Sequence, residues 1–156
     1  MKFLRKILLI FLTFLLIFTE ARVNTLLSDI DYIEMLPFLI YIFYVSLYSF
    51  SSGSSLVLVL SGFYFDLFLT DNFLGYTSIK FLLICTIIHY LYTRLSSGIV
   101  TEFILFYLSA LIYKFEVISS SLGINFIYII IICFTNYFLF KILDSPLTRD
   151  VFSTKI

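Results

Sequence analysis

The sequence contains few of the residues that build active sites or soluble protein surfaces. Its 156 residues include no tryptophan, one histidine, two cysteines, two prolines and five glycines. Charged residues make up 13% of the chain, against about 25% in an ordinary soluble domain. Such a chain cannot cover an apolar core with polar side chains, and its composition excludes collagen-like, low-complexity and disordered proteins.

Residues suited to catalysis or metal binding do not form recognisable patterns. Cys85 and Cys133 each lie inside an apolar run, without cysteine or histidine at metal-ligand spacing, and are interpreted as small core or lipid-facing residues. The single histidine, His89, is interpreted as an interfacial or hydrogen-bonded residue. There is no glycine-rich phosphate loop and no set of nucleophile, base and orienting group. The sequence therefore predicts a protein that is not an enzyme and that uses no cofactor or metal.

Apolar side chains, in contrast, are abundant. Hydrophobic residues make up 62% of the chain, and its mean hydropathy is +1.10. A helix of about 20 residues crosses the roughly 30 Å hydrocarbon core of a bilayer, and six apolar runs follow one another along this chain. The predicted fold is therefore an all-α membrane protein, a single domain over 1–156 that forms a six-helix transmembrane bundle. The predicted spans are about 3–19, 36–50, 56–69, 73–92, 99–115 and 124–143.

The amino-terminal region allows two interpretations. Its apolar run over 7–18 follows basic residues, which is also the arrangement in a secretory signal peptide. A retained first span is preferred because Thr19 and Ala21 make a poor cleavage site. An acidic connection over 20–35 then leads to Pro37, which opens the second run where the missing N–H of proline has no cost. The serine-rich stretch 51–55 is interpreted as a tight turn.

The positions of the positive charges predict an orientation, since cytoplasmic loops near span ends retain lysine and arginine. With the amino terminus inside, the outer side would hold only Arg22 and Lys114. The inner side would hold Lys2, Arg5, Lys6, Arg94, Lys141, Arg149 and Lys155. Both termini are therefore expected to be cytoplasmic. The formal net charge is zero, so nothing indicates binding to nucleic acid or to an anionic surface.

Two ionisable residues in the predicted third and fourth spans stand out, because a charge inside a bilayer is costly. Asp66 follows Gly62 by four residues, which places both on one helix face. Gly62 would let another backbone approach closely, beneath a carboxylate near the outer surface. Lys80 has three interpretations. Its long stem can reach the interface, its amine can pair with Asp66 or Asp71, or it can contact a ligand or partner.

Two further polar features are interpreted structurally. Glu102 lies in the first turn of the predicted fifth span, where a carboxylate complements the positive end of a helix. Asn125 and Asn136 lie eleven residues apart, which separates them by about 20° around a helix. We expect these two amides to mark the buried face of the sixth span through hydrogen bonds between helices.

The region from residue 62 to 75 resembles the signature region of a known family. Gly62 and Asp66 are followed by the Leu74–Gly75 pair and an apolar helix, as in MreD, the rod shape-determining membrane protein of bacteria. The length, the acidic connection after the first run and Pro37 agree with this resemblance. The turn over 70–73 lacks the glycine and proline that are usual there in the family.

The resemblance implies a function without catalysis. A MreD-like protein would be a scaffold subunit of the cell-shape and peptidoglycan elongation complex in the bacterial inner membrane. It would bind the bitopic protein MreC through helix faces and outer loops, and act indirectly with the MreB filament and the cell-wall synthase and transpeptidase. The implied fold is similar to the six-helix substrate-binding subunits of energy-coupling vitamin transporters.

In this interpretation five residues serve helix packing or partner contact. Pro37 starts a helix, Gly62 allows close packing, Asp66 orients the end of its helix or contacts a partner, and Gly75 permits tight re-entry into the next helix. Lys80 completes the set. The alternative is a subunit that binds or transports a small, vitamin-like solute, in which Lys80, Asp66 and Asn125 line an outward-open cavity.

Overall fold

The fold is seen in a computed structural model. It describes residues 13, 15–20, 22–27, 34–69, 73–96, 98–115 and 124–151, with side chains over 128–144 in the last range. Five helices follow in chain order: α1 (Pro37–Tyr48), α2 (Ser52–Phe68), α3 (Tyr76–Arg94), α4 (Ile99–Tyr113) and α5 (Ile124–Val151). Residues 15–20 and 22–26 are also helical. Over these ranges the chain is all-helical and has no strand.

The prediction of a six-helix transmembrane bundle is wrong. Nowhere in the described ranges does a helix combine the length and the apolar character that crossing a membrane requires. Helices α1, α2 and α4 contain 12, 17 and 15 residues, or roughly 18–26 Å at about 1.5 Å per residue, which is short of the hydrocarbon core. Helix α3 has 19 residues but includes Lys80, His89 and Arg94.

The predicted spans failed because apolar runs and helices have different limits. The run over 36–50 extends past the end of α1 at Tyr48. The run over 73–92 begins in a turn, so that α3 starts only at Tyr76. In these two cases apolar side chains in turns made the predicted span longer than the helix, whereas α2 begins before its predicted span and α5 extends beyond its own. The first predicted span, 3–19, lies largely outside the described residues.

Local signals explain where α1 and α2 begin. Pro37 occupies the first position of α1, where its fixed φ suits a helix. The stretch 51–55 is not a separate turn, because Ser51 caps α2 and the helix begins at Ser52. The Ser51 side chain accepts the Ser54 N–H at 3.3 Å, and the Ser54 hydroxyl accepts the Ser51 N–H at 2.8 Å. This reciprocal pair is a capping box.

Helix α1 lies at the centre of the fold and contacts α3, α4 and α5. Phe43 packs edge-on against Phe106 of α4 and Phe140 of α5, with ring centroids 5.0 and 5.2 Å apart. Phe38 lies 5.0 Å from the ring of Phe81 on α3. These fully buried phenylalanines make the core aromatic, in keeping with the 21% of aromatic residues in the chain.

One end of the fold gathers the beginnings of α1, α3 and α5 and the ends of α2 and α4. Phe38 near the start of α1 packs against Phe65 near the end of α2, with ring centroids 5.5 Å apart. Phe81 of α3 stacks on Tyr113, the last residue of α4, at 5.9 Å. We call this the Glu20 end, after the buried carboxylate that lies there. Both candidate sites described next belong to it.

Candidate functional site

The closest approach within the antiparallel hairpin of α2 and α3 occurs at Gly62. A Cβ atom at this position would lie 2.4 Å from both the Cα and the backbone nitrogen of Ser78. Because these are backbone atoms, no side-chain movement could make room for it. The Ser78 hydroxyl also donates a hydrogen bond to the carbonyl oxygen of Val59, at 2.8 Å. Gly62 therefore lets the two helices meet backbone to backbone.

Asp66 connects the end of α2 to the start of α3. Its side chain is buried, and Oδ2 accepts the Gly75 N–H at 2.7 Å while Oδ1 accepts the Thr77 N–H at 3.2 Å. Gly75 adopts φ +94°, a left-handed conformation that favours glycine. Because Gly75 has no side chain with which to cap α3, the carboxylate of Asp66 supplies the cap and complements the positive end of the helix.

Beyond Asp66, large apolar side chains point outward at the turn of this hairpin. Phe73 is 92% exposed and Phe68 is 68% exposed. Together the exposed residues form a patch that we call the hairpin tip: Leu67, Phe68, Leu69, Phe73 and Leu74. Residues 70–72, which include Asp71, lie outside the described part of the chain. A patch of this kind on a fixed support is a candidate contact surface.

Glu20 forms the second site, a buried polar network at the same end. Its Oε2 accepts the Phe38 N–H at 2.9 Å, and its Oε1 accepts the Tyr113 hydroxyl at 2.6 Å. Burial raises the pKa of Glu20 to about 7, although these two hydrogen bonds and the nearby Lys114 oppose the rise. Glu20 thus ties the helical segment 15–20 to the beginning of α1 and the end of α4.

Glu34 extends the network to α5. Its carboxylate forms an ion pair with Lys114 and accepts the Tyr128 hydroxyl at 2.8 Å. The Lys114 and Glu34 side chains are 19% and 18% exposed, so water screens this pair less than a surface salt bridge. The carboxylate joins the end of α4 to the beginning of α5.

Two asparagine side chains hold the short connection over 34–36. Asn136 of α5 accepts the Leu36 N–H at 2.7 Å and donates to the Glu34 carbonyl at 2.8 Å. Asn24 accepts the Met35 N–H and donates to the Met35 carbonyl, both at 3.0 Å. Each amide satisfies a backbone donor and a backbone acceptor, as a neighbouring strand would. Asn136 forms hydrogen bonds across elements, while the side chain of Asn125 lies outside the described residues.

Lys80 lies beside the polar network. Its Nζ is 5.8 Å from the ring centre of Tyr76 and 5.9 Å from that of Tyr113, distances at which a cation and an aromatic face attract each other. Tyr113 therefore links Lys80 to Glu20, since its hydroxyl donates to that carboxylate. Both oxygens of Asp66, the partner considered for Lys80 in the sequence, accept backbone N–H groups.

Polar contacts at the opposite end also join helices. The Nδ1 atom of His89 lies 3.0 Å from the Ser46 carbonyl oxygen, and its ring packs on Phe50 at 4.7 Å. Glu102 lies in the first turn of α4 and also forms an ion pair with Lys141 of α5. Among the described residues, no group of three or more His, Cys, Asp and Glu side chains is placed to hold a metal ion.

Sequence reasoning missed the main residues of the polar network. Glu20 and Glu34 belong to the acidic connection over 20–35, to which no function was assigned, and Tyr113 lies in an apolar run and was not singled out. The sequence signal was only a carboxylate next to an apolar run. No known protein serves as a guide to these residues, because no family model, no curated protein and no solved structure matches the chain.

Proposed function

We propose that this chain is a noncatalytic scaffold subunit of the bacterial cell-shape and peptidoglycan elongation complex, as its resemblance to MreD implies. It would bind a MreC-like bitopic protein, and through it act with the MreB filament and the cell-wall synthase and transpeptidase. The observation that carries this proposal is the hairpin of α2 and α3. Gly62, Asp66 and Gly75, which carry the resemblance, are the residues that support the hairpin tip.

The hairpin tip has the properties of a contact surface for another protein. Phe73 is 92% exposed, and Leu67, Phe68 and Leu74 are 63–68% exposed. Exposed apolar patches of this kind mark interaction sites. Its support is closely packed, since Gly62 brings the helix backbones together and Asp66 caps α3. Binding of a partner would therefore cost little free energy for ordering this surface. Aromatic residues also commonly dominate the binding energy of interfaces.

We place the protein at the bacterial inner membrane. Apolar side chains are exposed along the helices as well as at the hairpin tip. Ile79 on α3 is 67% exposed, and Phe134 and Phe138 on α5 are 66% and 62% exposed. Phe134 and Phe138 are four residues apart and so share one face of α5. Contact with lipid acyl chains would remove these side chains from water, where their exposure is unfavourable.

The alternative function, binding or transport of a small solute, receives less support. It requires Asp66 to offer its carboxylate to a ligand in an outward-open cavity. Instead, Asp66 is buried and accepts the backbone N–H groups of Gly75 and Thr77. A ligand would have to displace these bonds and leave the start of α3 without a cap. The scaffold proposal makes no such demand.

Co-purification tests the scaffold proposal. The tagged chain is expressed with the MreC-like protein of the same genome, and the amount of partner recovered is measured. We expect Phe73→Ser to reduce recovery at least about tenfold, because truncating an aromatic hot spot at an interface costs about 2 kcal/mol or more and each 1.4 kcal/mol is about tenfold in affinity. The matched control is Ile99→Ser at the opposite end, where Ile99 is 72% exposed and recovery should stay at the wild-type level.

Both variants replace exposed side chains, so the thermal unfolding temperature of each should equal that of the wild-type chain. The proposal is wrong if Phe73→Ser recovers as much partner as the wild type. Equal losses for Phe73→Ser and Ile99→Ser would also contradict it, since such losses would mean adhesion to apolar surface in general.

A further inference from the structure

Glu20 holds a part of the chain that precedes the main helices. The helical segment 15–20 packs into the fold through Ile17, which has no exposed surface, and through Phe18, whose ring lies 5.9 Å from that of Tyr64 on α2. Its last residue, Glu20, bonds to the Phe38 N–H and to the Tyr113 hydroxyl. One carboxyl group thus joins this segment to α1 and to α4.

The charged and titratable groups around Glu20 come from several elements. Tyr113 and Lys114 face it from the end of α4, and Glu34 from the connection before α1. Tyr64 of α2 contacts its segment through Phe18. Lys80 of α3 lies over the ring of Tyr113. The two nearest charges, Lys114 and Glu34, form an ion pair with each other, so Lys114 compensates only part of a charge on Glu20.

Burial makes ionisation of this carboxyl unfavourable in the packed state. The pKa of Glu20 rises to about 7 from the ordinary value of 4.5, mainly because of desolvation. A raised folded-state pKa means that the packed segment binds the proton more tightly than a released segment does. The stabilisation is therefore complete below about pH 4.5, falls as the pH rises towards 7, and is lost above that value.

We propose that Glu20 is a proton-operated latch: the neutral carboxyl keeps the helical segment 15–20 packed against α1 and α4, and loss of its proton to water favours release of that segment. The geometry suits this role because one group carries both contacts and because Lys114, the nearby cation, is already paired with Glu34. Release would expose Ile17, which has no exposed surface in the packed state, and would leave the Phe38 N–H without its acceptor.

Cysteine accessibility tests the latch in the full chain, purified in a mild detergent. Ile17→Cys places a thiol at a position with no exposed surface, and Leu26→Cys places one at a position that is 81% exposed. The rate of maleimide labelling at position 17 is divided by the rate at position 26, which removes the effect of pH on thiol reactivity. Labelling of the unmodified chain corrects for Cys85 and Cys133, both buried.

We expect the ratio to rise about tenfold between pH 6 and pH 8 and then to level off, as linkage predicts for this change in proton affinity. Adding Glu20→Gln should make the ratio independent of pH, because the amide carries no proton to lose. Adding Tyr113→Phe should move the plateau to higher pH, since the ionised carboxylate loses a donor that lowers its pKa.

A ratio that stays constant between pH 6 and pH 8 would overturn the proposal, and so would a full pH response in the Glu20→Gln chain. If Glu20→Gln does not fold, Tyr113→Phe decides the outcome, and a plateau at the wild-type pH would contradict the latch. The latch does not depend on the proposed scaffold function, because no partner protein takes part in this measurement.

Discussion

At the scale of single residues, burial decides how much a polar side chain contributes. Asn136 and Asn24 hold the same short connection with the same kind of hydrogen bonds. Asn136 has no exposed surface, whereas the bonds of Asn24 are open to water. An unsatisfied donor or acceptor that is buried costs about 1–3 kcal/mol, while an exposed one finds water instead.

We therefore predict unequal effects of one substitution at two positions. Asn136→Leu should lower the free energy of unfolding by about 2–4 kcal/mol, because it removes the partners of the Leu36 N–H and the Glu34 carbonyl. Asn24→Leu should lower it by about 1 kcal/mol or less. Equilibrium unfolding in detergent measures both values, and equal losses would show that burial does not distinguish the two sites.

Sequence reasoning succeeded for Asn136 and failed for Glu20, for one physical reason. An amide inside an apolar run needs a hydrogen-bond partner wherever the run is buried, so the run itself was informative. Glu20 lies at the edge of a run, where a carboxylate is normally solvated. In the fold it is buried and accepts a hydrogen bond from Tyr113, which is 93 residues away in the chain, and no local pattern contains that contact.

At the scale of helices, the hairpin of α2 and α3 depends on the absence of a side chain at Gly62. The chain offers a matched comparison, since Gly53 is also in α2 but a Cβ there would come no closer than 3.9 Å to any neighbour, the Ser51 hydroxyl. At Gly62 the same atom would clash with the backbone of Ser78. The two glycines therefore lie in the same helix and differ in the room that is available for a side chain.

We predict that Gly62→Ala lowers the free energy of unfolding by about 1–3 kcal/mol, because α2 and α3 must move apart to make room. Gly53→Ala should be neutral or should raise it by up to about 1 kcal/mol, because alanine favours helix more than glycine does. Thermal unfolding of the two variants in parallel gives the comparison. Similar stability of the two would mean that the close approach at Gly62 is not required.

The limits of the helices illustrate what a hydropathy pattern contains. Helix α1 begins at Pro37, as predicted, because the proline ring by itself fixes a φ angle that suits the start of a helix. Helix α2 instead begins at Ser52, inside a stretch interpreted as a turn, because the Ser51–Ser54 capping box satisfies the backbone there. Capping is a hydrogen-bonding property that hydropathy does not record, so the predicted bounds followed the apolar runs.

At the scale of the whole molecule, exposed apolar surface coexists with a net charge of zero. If the protein associates with lipid as we propose, the apolar contacts should dominate, because no excess positive charge is available to attract anionic headgroups. Association should therefore depend little on the charge of the lipid or on the ionic strength.

We predict that the chain, diluted out of detergent, floats equally with neutral vesicles and with vesicles that contain anionic lipid, at low and at high salt. Phe134→Asp combined with Phe138→Asp should reduce flotation, because both side chains are exposed on one face of α5. Flotation that requires anionic lipid or is lost at high salt would contradict the apolar mechanism. A chain that does not float at all would contradict the membrane location.

The sequence by itself determined the helical character of the described chain, its apolar composition and the start of α1 at Pro37, because these depend on residues close together in the chain. Only the tertiary structure decided that Asp66 caps α3, that Asn136 holds the connection before α1, and that Glu20 is buried. These properties depend on contacts between residues that can be far apart in the chain, and Leu36 and Asn136 are separated by 100 positions. Desolvation and hydrogen bonding act between neighbours in space, so side chains of ordinary appearance in the sequence acquire their roles only when the helices pack.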